Sequence, residues 1–304
     1  MLRVFSEMRV FAKACYPFVA VRRLLILAIA LLTFVGVVTA SAKTVQERRA
    51  ERLLRLQKIS SASSASFASS ASSNTSTINK QTSRFAIPLL VYHHIRPTTG
   101  YDKATWSWKM SVSPKVFDVQ MQWLDDHQYT PITLDTFVKI ARREMQGPVK
   151  PIVITFDDSH SSQYDVAFPV LKKHGFTTVF YVITKTLDVA GALSRVQVQE
   201  MSAAGMDMES HTAKHQVLTK LPQNEMDWEL AESKRVLEGL TGKPVRHIAY
   251  PATTQNALVR ERTSAAGYVT GTLMDPRRAT EKDDLLRIPR IMMTDDTDLK
   301  KILP

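Results

Sequence analysis

The chain has 304 residues, 44% of them hydrophobic and 23% charged, with a formal net charge of +11 and a single cysteine, Cys15. That length holds one large domain with appendages, the composition is that of a globular protein, and one cysteine excludes a disulfide framework. The positive excess is local: residues 1–58 carry 11 Lys/Arg against 3 Asp/Glu, and the other 246 carry 29 against 26. No basic stretch with interleaved aromatics marks a nucleic-acid groove, so no nucleic-acid partner is expected.

Residues 1–23 form a basic leader ending in Arg22-Arg23, and Leu24 to Ala42 is an uncharged run of 19 apolar or small residues. A positive flank before an apolar run is the pattern of export. Ala40-Ser-Ala42 fits a cleavage site, and the run is also just long enough to stay as an anchor; both fates remain open. Either way the rest is expected outside the cytoplasm, periplasmic or extracellular, released or held to the inner (cytoplasmic) membrane by residues 24–42. Residues 43–84 read as a linker, first charged, with Leu53, Leu54 and Leu56 among arginines, then almost entirely Ser and Ala from Ser60 to Ser76. A folded domain is expected over residues 85–304.

Ile87 to Tyr92 reads as its first strand, with His93 and His94 at the carboxyl end. Trp106 and Trp108 lie in a polar loop, as packing residues or as platforms for sugar rings. Ser113-Pro114 opens a helix with Phe117, Met121 and Leu124 at helical spacing, and a second helix is predicted from Leu134 to Met145. Pro151-Ile-Val-Ile-Thr-Phe-Asp-Asp158 is a buried parallel strand ending in two carboxylates. Side chains alternate along a strand, so Asp157 and Asp158 can take different jobs, one holding a metal and one a proton. His160 lies on the polar loop beside them. Tyr164, Ala167, Phe168 and Leu171 predict a helix that Pro169 should bend and Gly175 should end. Strands follow at Thr178 to Ile183, Met206 to Glu209, Arg246 to Tyr250, Tyr268 to Thr272 and Leu286 to Ile291. Helices are predicted at Val196 to Ala204, Glu225 to Leu240 and Leu258 to Ala266. Repeated βα units predict an α/β fold, a distorted or incomplete (β/α) barrel. In Met208-Glu-Ser-His-Thr-Ala-Lys-His215, one helical turn would bring His211 and His215 to one face, and two such His with a carboxylate make an open zinc site.

Thr155-Phe-Asp-Asp158, Ser210-His-Thr-x-x-His215 and Ala249-Tyr-Pro251 resemble the three motifs of the polysaccharide deacetylases, the NodB-homology group or carbohydrate esterase family four. The similarity runs from about Ile87 to Ile291, with the core at about residues 150–304. Val91-Tyr-His-His-Ile95 and Thr130-Pro-Ile-Thr133 look like the opening of the subset that N-deacetylates poly-β-1,6-N-acetylglucosamine. The resemblance implies a divalent metal (zinc, with cobalt or nickel as alternatives) on Asp158, His211 and His215, and Asp157 as general base. It implies the backbone N–H of Ala252 as oxyanion donor, and makes Tyr250, Pro251 and Arg290 candidates for contacting substrate. Arg290 reads equally as a partner that keeps Asp157 ionised or as a surface residue.

The chain departs from the family in three places. Ser159 stands where Gly is usual, which matters if that position needs a positive φ. Ala252-Thr-Thr follows Pro251 in place of an aromatic residue. No histidine follows His247, so the usual proton donor is missing, and His93, His94 and His160 are the candidates to replace it. The expected function is an exported, metal-dependent deacetylase of an N-acetylhexosamine polysaccharide. The rivals are an O-acetyl polysaccharide esterase using the same site, and a weakly active or non-catalytic glycan-binding relative.

Overall fold

Runs of β-branched and aromatic residues form the strands of this protein, whose computed structural model describes residues 85–303. In chain order the strands are β1 (Ala86–Ile87), β2 (Leu89–Tyr92), β3 (His94–Ile95), β4 (Ser111–Val112), β5 (Thr130–Pro131), β6 (Pro151–Phe156), β7 (Val179–Val182), β8 (Asp207–Ser210), β9 (His247–Ala249), β10 (Thr270–Met274), β11 (Ala279–Thr280) and β12 (Ile288–Met292). The helices are α1 (Trp106–Lys109), α2 (Pro114–Asp126), α3 (Leu134–Ala141), α4 (Phe168–His174), α5 (Arg195–Ala203), α6 (Gln223–Thr241), α7 (Ala257–Ala265) and α8 (Leu299–Ile302).

Seven strands pair in parallel around a closed ring, β2-β12-β10-β9-β8-β7-β6 and back to β2. The barrel is therefore closed, with one strand fewer than the eight of the common (β/α) form. Because β2 completes the ring, the barrel needs residues that precede position 150. β5 adds to Pro151 and Ile152 of β6 only.

Both faces of these strands are covered, which is why they read as continuous apolar runs. On β6, Ile152, Ile154 and Phe156 belong to the large cluster shared with the helices, while Val153 belongs to a second, smaller cluster. β7 divides in the same way, with Phe180 and Val182 in the large cluster and Val179 and Tyr181 in the small one. This period of two puts Thr155 and then Asp157 on the same side as Val153, where Arg290 of β12 meets both.

The local punctuation follows the sequence with two adjustments. Ser113 caps α2 by accepting the Val116 N–H, and Gly175 and Gly242 end α4 and α6 at φ 63° and 66°. α3 stops at Ala141 rather than Met145, because Arg143 turns to φ 62°. The bend expected from Pro169 takes the form of a wide helical turn over Gln163–Ala167, and the proline itself sits in the first turn of α4, where its missing N–H costs nothing.

One close approach constrains the end of β9. A Cβ placed on Gly271 of β10 would collide with the ring and hydroxyl of Tyr250. Gly271→Ala is expected to cost about 1–3 kcal/mol through overpacking, read by chemical denaturation, and to disturb the turn that follows Tyr250.

Among the described residues, no helix is long and apolar enough to cross a membrane. The basic leader, the apolar run at 24–42 and the linker at 43–84 lie outside the described residues.

Candidate active site

The carboxyl ends of β2, β6, β8 and β9 deliver the residues that the motifs single out, at the end where parallel barrels carry their chemistry. Asp157 leaves β6 into the barrel and is 3% exposed. Its two carboxylate oxygens accept hydrogen bonds from Arg290, at 2.7 Å from Nη1 and 2.6 Å from Nη2, in a bidentate pair. Arg290 is itself 1% exposed, also donates to Thr155 Oγ1 at 3.0 Å, and lies over the Tyr181 ring at 5.1 Å. Burial pushes the Asp157 carboxyl up. The Arg290 guanidinium more than offsets this, with help from His211, and the net direction is below the usual carboxylate range. Arg290 is thus the partner of Asp157. At 1% exposure it is not the surface residue that the sequence also allowed.

Asp158 turns away from this pair because the backbone reverses hand: φ is 74° at Asp158 and 59° at Ser159. The position occupied by Gly in the family does require a positive φ, and Ser159 bears that cost, of order 1 kcal/mol. A fully buried hydroxyl partly compensates, accepting the Ile183 N–H at 2.7 Å, while Ser159 O accepts the Leu193 N–H at 2.8 Å. Ser159→Ala keeps the strained backbone and leaves Ile183 N–H buried without a partner. A loss of about 1–3 kcal/mol in denaturation experiments is expected.

His211 and His215 do meet, with ring centroids 4.7 Å apart, but not on a helix. They sit on a loop after β8, with φ 62° at Thr212 and 60° at His215. Hydroxyls in and beside the motif build that loop. Ser210 Oγ accepts the Thr212 N–H at 3.1 Å, and Thr212 Oγ1 accepts the His215 N–H at 3.0 Å. Glu229 of α6 accepts the Lys214 N–H at 2.8 Å. Spacing alone suggested a helix because local side chain to backbone bonds can hold the same four-residue separation in another conformation.

Asp158, His211 and His215 each offer a ligand atom, all within 4.8 Å of one another. Asp158 Oδ1 is 3.3 Å from His211 Nε2 and 3.4 Å from His215 Nε2. His211 Nδ1 lies 2.8 Å from Ala249 O, which can only accept, so Nδ1 carries a proton and Nε2 is the ring atom left to face Asp158. Two imidazoles and one carboxylate, with His211 Nε2 aimed at Asp158, fit a divalent ion with a position left for substrate or water.

The three candidate proton donors separate. His93 is 4% exposed, and its Nδ1 has no partner among the described residues. Burial lowers its pKa despite Asp157 and Asp158, so it is held neutral. His94 is half-buried and stacks on His160 at 3.3 Å between ring centroids. Burial and His160 push its pKa down to about 3. His160 reaches within 3.6 Å of Asp158 Oδ2 and is 23% exposed.

At the end of β9, Pro251–Thr253 form a single tight turn with φ 51° at Ala252 and 61° at Thr253. The turn's hydrogen bonds run from Thr253 and Thr254 back to Tyr250 and Pro251, and the Ala252 N–H takes no part in them. Tyr250 is 2% exposed, and its side chain lies in the core against Gly271. Of the loop tryptophans, Trp108 is 8% exposed and is packing, while Trp106 is 65% exposed.

One residue of this region escaped the sequence reading. Gln163 is fully buried, and its Nε2 donates to both His93 O and Asp157 O, tying together the ends of β2 and β6. A glutamine on a predicted amphipathic helix carries no such signal; only the wide turn at 163–167 aims it inward.

A family model described as polysaccharide deacetylase matches residues 144–271. The poly-β-1,6-N-acetyl-D-glucosamine N-deacetylase of Staphylococcus epidermidis is 30% identical over 200 residues, spanning 61% of this chain and 69% of that protein. Among solved structures, the Streptococcus pyogenes deacetylase PplD in complex with acetate superposes with a TM-score of 0.68 at 26% identity, covering 73% of this chain and all of that one. A polysaccharide deacetylase from Bacillus cereus gives 0.63 at 31% identity, covering 72% and 68%. With a relative this similar matched over more than two thirds of its length, and with the same closed barrel, the chain belongs to the polysaccharide deacetylase family.

Proposed function

We propose that this protein is an exported, metal-dependent N-deacetylase of an N-acetylhexosamine polysaccharide, with residues 85–304 as its catalytic domain. The observation that carries this reading is the division of labour between adjacent carboxylates. Asp157 is locked to Arg290 in the barrel, and Asp158 is turned toward His211 and His215. A glycan-binding relative has no use for a buried, ionised carboxylate beside a metal trio. The similarity to a β-1,6-linked N-acetylglucosamine deacetylase supports the substrate class. The basic and then apolar leader supports export, because the polymer lies outside the cytoplasm.

Asp158, His211 and His215 would hold the metal, zinc or alternatively cobalt or nickel, which when bound supplies a Lewis acid for the acetyl carbonyl and a lowered pKa for water. Asp157, kept ionised by Arg290, takes the proton from the attacking water as general base. The Ala252 N–H, which takes part in none of its own turn's hydrogen bonds, is the donor assigned to the oxygen that gains charge. The departing amine needs a proton. His160, which reaches within 3.6 Å of Asp158 Oδ2 and is partly exposed, is the histidine of the three assigned to deliver it.

The test is acetate release from β-1,6- and β-1,4-linked N-acetylglucosamine oligomers and from an O-acetylated xylan, each with zinc-loaded protein. Release from the N-acetylated oligomers, with one linkage preferred, is the expected result. Release confined to the O-acetylated polymer would replace the reading with an esterase.

A further inference from the structure

The rim beside His215 carries a cationic, aromatic cluster that the chemistry above does not use. Trp228 of α6 is 40% exposed. The ammonium of Lys214 lies 4.7 Å from its ring centroid and that of Lys185 lies 5.5 Å from it. Lys214 immediately precedes His215 in the chain, and the Lys185 N–H donates to Ala213 O at 2.9 Å. Both lysines therefore lie on the loops after β7 and β8, at the end of the barrel that also carries the metal trio.

One carboxylate of this face partly balances Lys185, and the others are committed elsewhere. Glu232 is shared between Lys185, at 3.4 Å, and Arg235, at 2.8 Å. Glu229 is buried and accepts the Lys214 N–H, and Asp227 is held by Arg262. Lys214 has its ammonium over the ring and forms no ion pair among the described residues. Contact with the indole keeps these charges at the rim, where a solvated lysine would swing away.

Resting on the deacetylase reading, we propose that Trp228, Lys214 and Lys185 form a subsite for the sugar unit next to the one being hydrolysed, and that this subsite admits an N-acetylated unit and disfavours an already deacetylated one. Hydrolysis of an N-acetyl group exchanges a neutral amide for an ammonium. An ammonium at this rim meets the unpaired Lys214 ammonium, with Lys185 only partly balanced by Glu232, whereas an acetylated ring offers only its apolar face and its neutral amide to Trp228. The enzyme's own product is thereby rejected from the neighbouring position, and deacetylation is spaced along the polymer rather than run through adjacent units. The site is exposed, so the discrimination is modest and sensitive to salt.

The experiment uses the full-length, zinc-loaded chain. Substrates are the N-acetylglucosamine tetramer and tetramers carrying one glucosamine at each position in turn. At low ionic strength, the isomer with glucosamine beside the reacting unit is expected to show kcat/KM about three- to tenfold below the fully acetylated tetramer. The ratio should fall toward one at about 1 M salt, where the screening length is about 3 Å, and in the double variant Lys185→Gln, Lys214→Gln at low salt. Equal rates for every isomer in the unmodified protein would overturn the proposal, as would a ratio that survives in the double variant. No acetate from the fully acetylated tetramer would instead overturn the deacetylase reading itself.

Discussion

Arg290→Met is expected to lower the free energy of unfolding by about 3–5 kcal/mol at neutral pH, because it strands a carboxylate that is 3% exposed. The methionine fills much of the arginine's volume, so the loss reports the missing charge more than a cavity. The pH dependence gives the effect its signature. With Arg290 present, the folded pKa of Asp157 lies below its unfolded value. The pair therefore contributes stability that is fully present above the ordinary carboxylate range and is lost as pH falls through the depressed folded value. In the variant, burial is no longer offset by the guanidinium and the pKa rises, so Asp157 takes up a proton more readily as the pH falls and is then buried as a neutral acid. The stability gap between the two proteins should accordingly narrow as the pH is lowered. Denaturation curves at neutral pH and below the carboxylate range check this, and a gap that stays constant would mean that Arg290 acts through packing alone. Activity should fall as well, because a protonated Asp157 is no base.

Asp157→Asn is expected to reduce kcat by about 10²- to 10⁴-fold with bound metal retained, since the metal trio does not include Asp157. The side chain keeps its shape, and one oxygen can still accept from Arg290, but the amide has no basic lone pair to offer water. Kinetics on the N-acetylglucosamine oligomers, with metal content measured in parallel, separates this from loss of the ion. A variant that loses metal and activity together would place Asp157 among the ligands rather than beside them. Because Arg290 also loses its counter-charge, the measurement belongs well below the melting temperature, where the variant is still folded.

Much of this arrangement was legible in the residues. The apolar run at 151–156 reads as a doubly buried strand, and the alternation of strand side chains already separates Asp157 from Asp158. Ser113-Pro114, Gly175 and Gly242 punctuate helices where local backbone chemistry demands it. What stayed illegible depends on contacts distant in sequence. Nothing near Arg290 says that it is buried, since its partner lies 133 residues away. The sequence offered it equally as a surface residue, and burial against Asp157 decides the matter. The four-residue spacing of His211 and His215 fits a helical turn, yet Ser210 and Thr212 bend the loop by another route to a similar result. Tyr250 stands out because it adjoins Pro251, and nothing local says that the space above Gly271 takes its ring into the core. Closure of the ring by β2 was likewise hidden, because a strand's partners are chosen by the whole sheet.

The most direct measurement of the central claim is a zinc titration of the metal-stripped, full-length protein, followed by acetate release from an N-acetylglucosamine oligomer. Activity that rises linearly and stops at one equivalent of zinc, and that is absent in His211→Ala at the same zinc, is the predicted result. Full acetate release from the stripped protein, or a titration that His211→Ala leaves unchanged, would contradict the assignment of Asp158, His211 and His215 as the metal site of a deacetylase.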